Sequence, residues 1–320
     1  MAPFASTSCS STQDIKDCEA VYNCCKGIAA SKGRLEHILA SRNATERKEL
    51  GDLFYALYKE DLSTLLHAEL WGNLEKAVVL WMHDPAERDA IIAKTELRSQ
   101  YPDFRALTEI LCSRTPAETL RIREAYRGLY KACLEEDIAQ ETVGPHQKLL
   151  FTLAKAQRCP SRDVNICQAK CDAKRLYGAR EGRIGIDEGA IVKLLSDRNL
   201  NHLRAAFGYY KQFYGHDILK ALRRETSGKF EYALRIIIKC ICYLAKYFSK
   251  VLRISLDQSE YAALTRVMVT RAEVDMEEIK ATYREKYGIS LEQAICKQTS
   301  GSYRDFLLQL ACWEATSQPK

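Results

Sequence analysis

One spacing recurs four times along this chain, and it limits the fold more than any single residue does. Counting from Arg42, Arg114, Arg198 and Arg271, a tyrosine stands 16 positions on, at Tyr58, Tyr130, Tyr214 and Tyr287. At 20 positions stand Leu62, Leu134, Ile218 and Leu291, and at 30 stand Gly72, Gly144, Gly228 and Gly301. The anchors lie 72, 84 and 73 residues apart, so one unit of roughly 70 residues occurs four times. A unit this short cannot bury a large core alone. It becomes stable when neighbouring units cover its apolar faces.

Helical signals fill each unit. Leu35, Ile38 and Leu39 precede the first anchor with helical spacing, as Leu107, Ile110 and Leu111 precede the second. Ile191, Leu194 and Leu195 do the same for the third, and Leu264, Val267 and Met268 for the fourth. Cap chemistry follows each anchor: Asn43-Ala44-Thr45, Thr115-Pro116, Asn199 and Ala272-Glu273. A helix ending at the tyrosine, a short helix around the +20 residue and a break at the glycine come next. The last helix of each unit is expected over Leu74–Trp81, Leu149–Leu153, Tyr232–Tyr243 and Phe306–Trp313. Only 15 Gly and 7 Pro interrupt 320 residues, which also favours helix over strand.

The fold class expected is all-α, with four repeats of about five helices each. The boundaries are a short N-terminal segment 1–13, then repeats at 14–84, 85–157, 158–246 (with its connector) and 247–315. The connector Arg158 to Lys174 holds Pro160 and three cysteines, and a seam between two halves is expected there. The anchor arginines read as structural, each capping carbonyls or pairing with an acid of its own unit. The tyrosines at +16 read as core residues with satisfied hydroxyls.

Composition limits the rest. Thirteen cysteines behind a Ser/Thr-rich start without a signal-like apolar core point to a reducing, intracellular setting. The most apolar run, 236–244, carries Lys239 and is too short to span a bilayer. A net charge of +6 permits an anionic partner, and no basic block with interleaved aromatics favours nucleic acid.

Several segments resemble the annexin family, in particular its plant branch. They are Asp84-Pro85-Ala86-Glu87-Arg88-Asp89-Ala90, the run Leu264 to Glu273, Thr299-Ser300-Gly301-Ser302-Tyr303 and Glu225-Thr226-Ser227-Gly228. The resemblance spans Asp14 to Cys312. It implies a slightly curved disc of four repeats that binds acidic phospholipid through Ca²⁺. The family's loop reads K-G-x-G-T, with an acid 40 positions beyond the second glycine. A hard cation needs six to eight oxygens, and loop carbonyls, a distant carboxylate and lipid phosphate can supply them.

Tested against that pattern, the four loops differ. Repeat one has Lys26-Gly27-Ile28-Ala29-Ala30 with Glu69, so Gly27, Ala29 and Glu69 form a weakened set. Repeat two has Tyr101-Pro102 before Glu141 and reads as lost. Repeat three keeps Gly182-Arg183-Ile184-Gly185 with Glu225, so Arg183, Gly185 and Glu225 form the strongest candidate. Repeat four has Leu256-Asp257-Gln258-Ser259 with Gln298 at the acid position, and also reads as lost. Basic residues crowd the two surviving loops: Lys26, Lys32 and Arg34, then Arg180 and Arg183. They are expected to touch lipid headgroups and to give partly calcium-independent, salt-sensitive binding.

No catalytic residue is assigned. The chain lacks HExxH, a GxxxxGK[ST] loop and a nucleophile elbow. The resemblance implies a redox sulfur pair at Cys112 and Cys240, but the methionine that goes with it is replaced near Thr108. A histidine associated with peroxidase-like activity is replaced near Ser41. Cys159, Cys167 and Cys171 lack a fourth ligand for zinc. The leading expectation is a cytoplasmic protein that associates reversibly with acidic membranes, with protein partners also open. The alternative is a cytosolic helical scaffold, or a stress- or redox-related annexin, that has lost most calcium binding.

Overall fold

Each repeat is organised around its anchor arginine, which does what the sequence predicts. Arg42 Nη2 donates to Asp17 at 2.7 Å and Arg114 Nε to Asp89 at 2.6 Å. Arg198 Nε donates to Asp172 at 2.8 Å and Arg271 Nη2 to Asp275 at 2.5 Å. Arg42 Nη1 also caps the carbonyl of Ile38 at 2.6 Å. These pairs tie the first helix of a repeat to the end of its second in repeats one to three.

The structure, a computed structural model, describes residues 12–27, 34–178, 188–225 and 228–313, without the side chains of residues 34, 178 and 223–225. Among the described residues there are twenty helices and no strand. Repeat one comprises α1 (Thr12–Cys25), α2 (Arg34–Ala40), α3 (Ala44–Tyr58), α4 (Leu62–Glu69) and α5 (Gly72–Met82). Repeat two comprises α6 (Pro85–Leu97), α7 (Arg105–Ser113), α8 (Pro116–Tyr130), α9 (Leu134–Glu141) and α10 (Gly144–Ala154). Repeat three comprises α11 (Ile166–Gly178), α12 (Glu188–Asp197), α13 (Leu200–Tyr214), α14 (Ile218–Glu225) and α15 (Gly228–Cys242). Repeat four comprises α16 (Leu244–Asp257), α17 (Tyr261–Arg271), α18 (Met276–Tyr287), α19 (Leu291–Gln298) and α20 (Gly301–Ala311).

The register residues fall at fixed points of these helices. Leu62, Leu134, Ile218 and Leu291 open the short fourth helix of each repeat and are 1, 1, 4 and 0 % exposed. Gly72, Gly144, Gly228 and Gly301 open the fifth helix with φ of +66, +65, +70 and +63°. That left-handed turn reverses the chain within three residues, which a Cβ would oppose. The glycine is therefore the entry to the last helix, which begins two to five residues earlier than its apolar pattern suggests.

Two expectations are corrected. The tyrosines at +16 are only half-buried. The sealed aromatic lies one turn earlier, at Phe54, Tyr126, Tyr210 and Tyr283, which are 0, 0, 1 and 0 % exposed. Each +16 ring lies against that residue, at centroid distances of 4.8, 5.1, 5.1 and 4.8 Å. Asn43, Thr115 and Asn199 cap their helices as predicted. The fourth cap does not fall at Ala272-Glu273: α18 starts at Met276, and Glu273 turns inward to Arg47 and Arg88 instead.

The seam also moves. The chain divides into two compact units, Met1–Arg88 with Phe248–Lys320, and Asp89–Tyr247. The connector after Arg158 lies within the second unit and is no boundary. Its Arg158 guanidinium is buried, donating to Leu195 O at 3.0 Å and Cys112 O at 3.2 Å. These carbonyls close α12 and α7, so one cation caps two helices and binds repeat two to repeat three.

In the first unit the core centres on Trp81, which is 0 % exposed and donates from Nε1 to Leu39 O at 2.9 Å. The guanidiniums of Arg47 and Arg88 lie over its ring at 4.0 and 4.7 Å. Both then reach the single carboxylate of Glu273, at 3.0 and 3.2 Å. In the second unit α7 packs on α15, and Tyr247 donates to Glu109 Oε1 at 2.7 Å beside them.

Candidate functional site

The carboxylate position of the candidate ion loops occupies the same place in every repeat. Glu69, Glu141, Glu225 and Gln298 are each the last residue of the short fourth helix, three residues before the left-handed glycine. In repeat four an amide stands there, so no anionic oxygen is offered. In repeat three the loop residues Arg180, Arg183 and Gly185 and the side chain of Glu225 lie outside the described residues. What is described is the frame around them. Tyr177, at the end of α11, stacks on Tyr214 at 3.7 Å, as Tyr22 in α1 stacks on Tyr58 at 4.2 Å.

Repeat one shows most of its loop's foundation. Gly27 donates to Cys24 O at 3.3 Å and has φ +70°, so the first loop glycine ends α1 in a left-handed turn. Glu69 is exposed at the end of α4. Burial, then Cys24, then the Glu69 charge push the Cys25 thiol up to about 11. α4, which Glu69 closes, packs on α1, whose end carries Gly27. Ala29 and Lys32 lie outside the described residues, as does the side chain of Arg34. Lys26 is not free: its Nζ lies 3.5 Å from Glu60 and 5.7 Å from the Tyr22 ring centre. The ion pair is partly exposed and weak enough to exchange for another anion.

Repeat two is built differently. Phe104 takes the left-handed conformation at φ +57°, is 1 % exposed, and its N–H donates to Glu96 Oε1 at 3.0 Å. Its ring lies 5.2 Å from that of His146 in α10, with Lys229 Nζ 4.9 Å from its centre. A buried phenyl thus plugs the turn three residues after Tyr101, which stands where the pattern wants a glycine. Asp103 is occupied by Arg105 at 3.4 Å. In repeat four Asp257 is likewise held by Arg253 at 2.7 Å, and Ser259 carries φ +56°.

The two cysteines of the expected pair lie on helices that pack on each other. Cys112 on α7 and Cys240 on α15 are 1 and 3 % exposed, and burial followed by both thiols raises the Tyr247 hydroxyl. Both sit in apolar packing, as the helical runs around them suggest. Among the described residues no three His, Cys, Asp or Glu side chains gather as a metal ligand set, and Cys159, Cys167 and Cys171 form none. No described helix is long and apolar enough to cross a membrane.

The annexin family model matches residues 98–153, 171–237 and 247–310, more than half of the chain. The chain belongs to the annexin family. It is 39% identical over 297 residues to the annexin-like protein RJ4 of Fragaria ananassa, spanning 92% of this chain and 94% of that one. It is 36% identical to annexin D7 of Arabidopsis thaliana, over 92% of this chain and 94% of the relative. Among solved structures it superposes on annexin III with a TM-score of 0.89, at 32% identity and 96% coverage of both chains. Annexins in general bind acidic phospholipid membranes in a calcium-dependent way and are not enzymes.

Two features of this annexin's loops escape sequence reasoning. One is the Phe104 plug, whose only sequence signal is an aromatic next to the candidate loop. The other is the trio Trp71, Tyr101 and Val143, which are 85, 84 and 82 % exposed. Their excess over Tyr55, the next at 58 %, is visible only once side chains are placed.

Proposed function

We propose that this annexin docks on acidic phospholipid with reduced calcium dependence, using an ion chiefly in repeat three. Arg183 and Gly185 would offer loop carbonyls and Glu225 the closing carboxylate. Gly27, Ala29 and Glu69 would form a weaker second set. When bound, Ca²⁺ supplies a hard positive bridge between these oxygens and a lipid phosphate. Repeats two and four contribute no ion in this reading, because their turns hold Tyr101-Pro102 and Gln258-Ser259 where the second glycine and the threonine belong, and in repeat four Gln298 also replaces the acid.

The observation that carries the reading is the fixed place of the acid position, closing the fourth helix of each repeat, together with the packing of α4 on α1, whose C-terminal turn holds Gly27. Lys26, Lys32, Arg34, Arg180 and Arg183 add an electrostatic component that needs no ion. A calorimetric calcium titration on phosphatidylserine vesicles tests the ion assignment. Glu225→Gln is expected to weaken calcium at least about tenfold, or ~1.4 kcal/mol, and Glu69→Gln less. Wild-type titration by Glu225→Gln would refute it.

A further inference from the structure

We infer that Trp71 is a membrane anchor, entering the headgroup layer of an acidic bilayer from the turn between α4 and α5. This deepens the docking proposed above and rests on it. Trp71 is 85 % exposed, the highest value among the large apolar side chains of the described residues. Its backbone is extended, at φ −142° and ψ 154°, and Gly72 then reverses the chain at φ +66°. A side chain on so sharp a turn stands out from the protein.

The turn itself does not ask for tryptophan. In repeat four Ser300 occupies the same register position with φ −146°, ψ 166° and is followed by Gly301 at φ +63°. In repeat three the residue is Ser227. Neither Trp71 nor Ser300 makes a side-chain cap, so helix capping does not distinguish them. The same turn forms with serine, so the exposed indole is available for a contact outside the fold. Indole is the side chain that favours the boundary between hydrocarbon and water.

The surroundings select a lipid surface as that contact. Glu69, the candidate calcium carboxylate, closes α4 two residues before Trp71, and α4 packs on α1, whose C-terminal turn holds Lys26 and Gly27. The second unit repeats the arrangement by itself. Val143 holds the register position of Trp71 and is 82 % exposed, and Tyr101 is 84 % exposed. Phe104 against His146 locks their two turns to one end of repeat two. Among the described residues the three most exposed large apolar side chains thus all stand on turns at the candidate ion-loop positions.

The test uses the full chain and vesicles of phosphatidylserine and phosphatidylcholine, with tryptophan emission as the probe. Trp81 is sealed and Trp313 half-buried, so Trp71 dominates any change in exposure. Vesicles are expected to shift the emission to the blue and shield it from aqueous quencher. Trp71→Ser, which installs the residue of repeats three and four, is expected to abolish the shift and weaken binding roughly tenfold or more. Binding with unchanged emission, or wild-type affinity in Trp71→Ser, overturns the anchor and leaves the docking proposal standing. Absence of binding with and without calcium overturns both.

Discussion

Glu273→Gln is expected to destabilise this annexin by about 3–5 kcal/mol, the cost of stranding buried charge. Glu273 is the one carboxylate shared by Arg47 and Arg88, whose side chains are 0 and 3 % exposed. Burial pulls the Arg47 guanidinium down, against the raising pull of Glu273. Arg47 otherwise has only the Arg42 carbonyl at 2.6 Å, and its Nε has no partner. Arg88 has more support, with the carbonyls of Leu80, Trp81, His83 and Val269. Removing the negative charge leaves two cations against the Trp81 ring, and the cation–π attraction there, on the order of 2 kcal/mol, is present in both proteins and does not offset the loss. The urea midpoint should fall accordingly, and a loss below about 1 kcal/mol, the value of a surface pair, would contradict this account of the core.

The second large effect is a loss of stability in mild acid. His146 is 5 % exposed, and burial, then the Lys229 charge, depress its pKa to about 4. Phe104 faces it from the turn before α7 and Lys229 from α15. In the unfolded chain the same imidazole takes a proton near its ordinary 6.5. The unfolded state therefore binds more protons between those values. The neutral ring's contribution is complete above pH 6.5 and is lost as pH falls toward 4, reaching ~3 kcal/mol. His146→Leu should flatten stability across that window, leaving the steeper fall at lower pH where Asp137 and Asp172, both held low, become protonated. Parallel curves for the two proteins would reject the assignment.

The repeat was legible because backbone demands are strict. Only glycine enters the fifth helix cheaply at φ near +65°, and the +20 residue must be aliphatic to open a helix inside the core. The core aromatic at +12 escaped a search for identity, since Phe54 stands where Tyr126, Tyr210 and Tyr283 do. The +4 position was hidden by substitution. Glu46 and Glu118 close capping boxes, whereas His202 turns to Asp172 at 2.9 Å and Asp275 to Arg271. In repeat four the +1 residue is Ala272, which has no side-chain oxygen to cap with, and α18 begins at Met276. The seam was misplaced because a long connector reads as a boundary until a buried Arg158 is seen holding it. For the ion loops, sequence supplies the glycines and carboxylates but not the direction of each carbonyl, which depends on every φ and ψ in the loop. The apolar tips were equally hidden, because exposure belongs to the turn and not to the residue type.

Co-sedimentation with phosphatidylserine vesicles is the most direct measurement of how this annexin docks. It needs three conditions: millimolar calcium, chelator at low salt, and chelator at high salt. Basic side chains contribute roughly 1 kcal/mol each near an anionic surface, an attraction that salt screens. The protein should pellet fully with calcium, partly in chelator at low salt, and least in chelator at high salt. Pelleting that vanishes whenever calcium is chelated, whatever the salt, would contradict the ion-free component, and no pelleting even with calcium would contradict the docking itself.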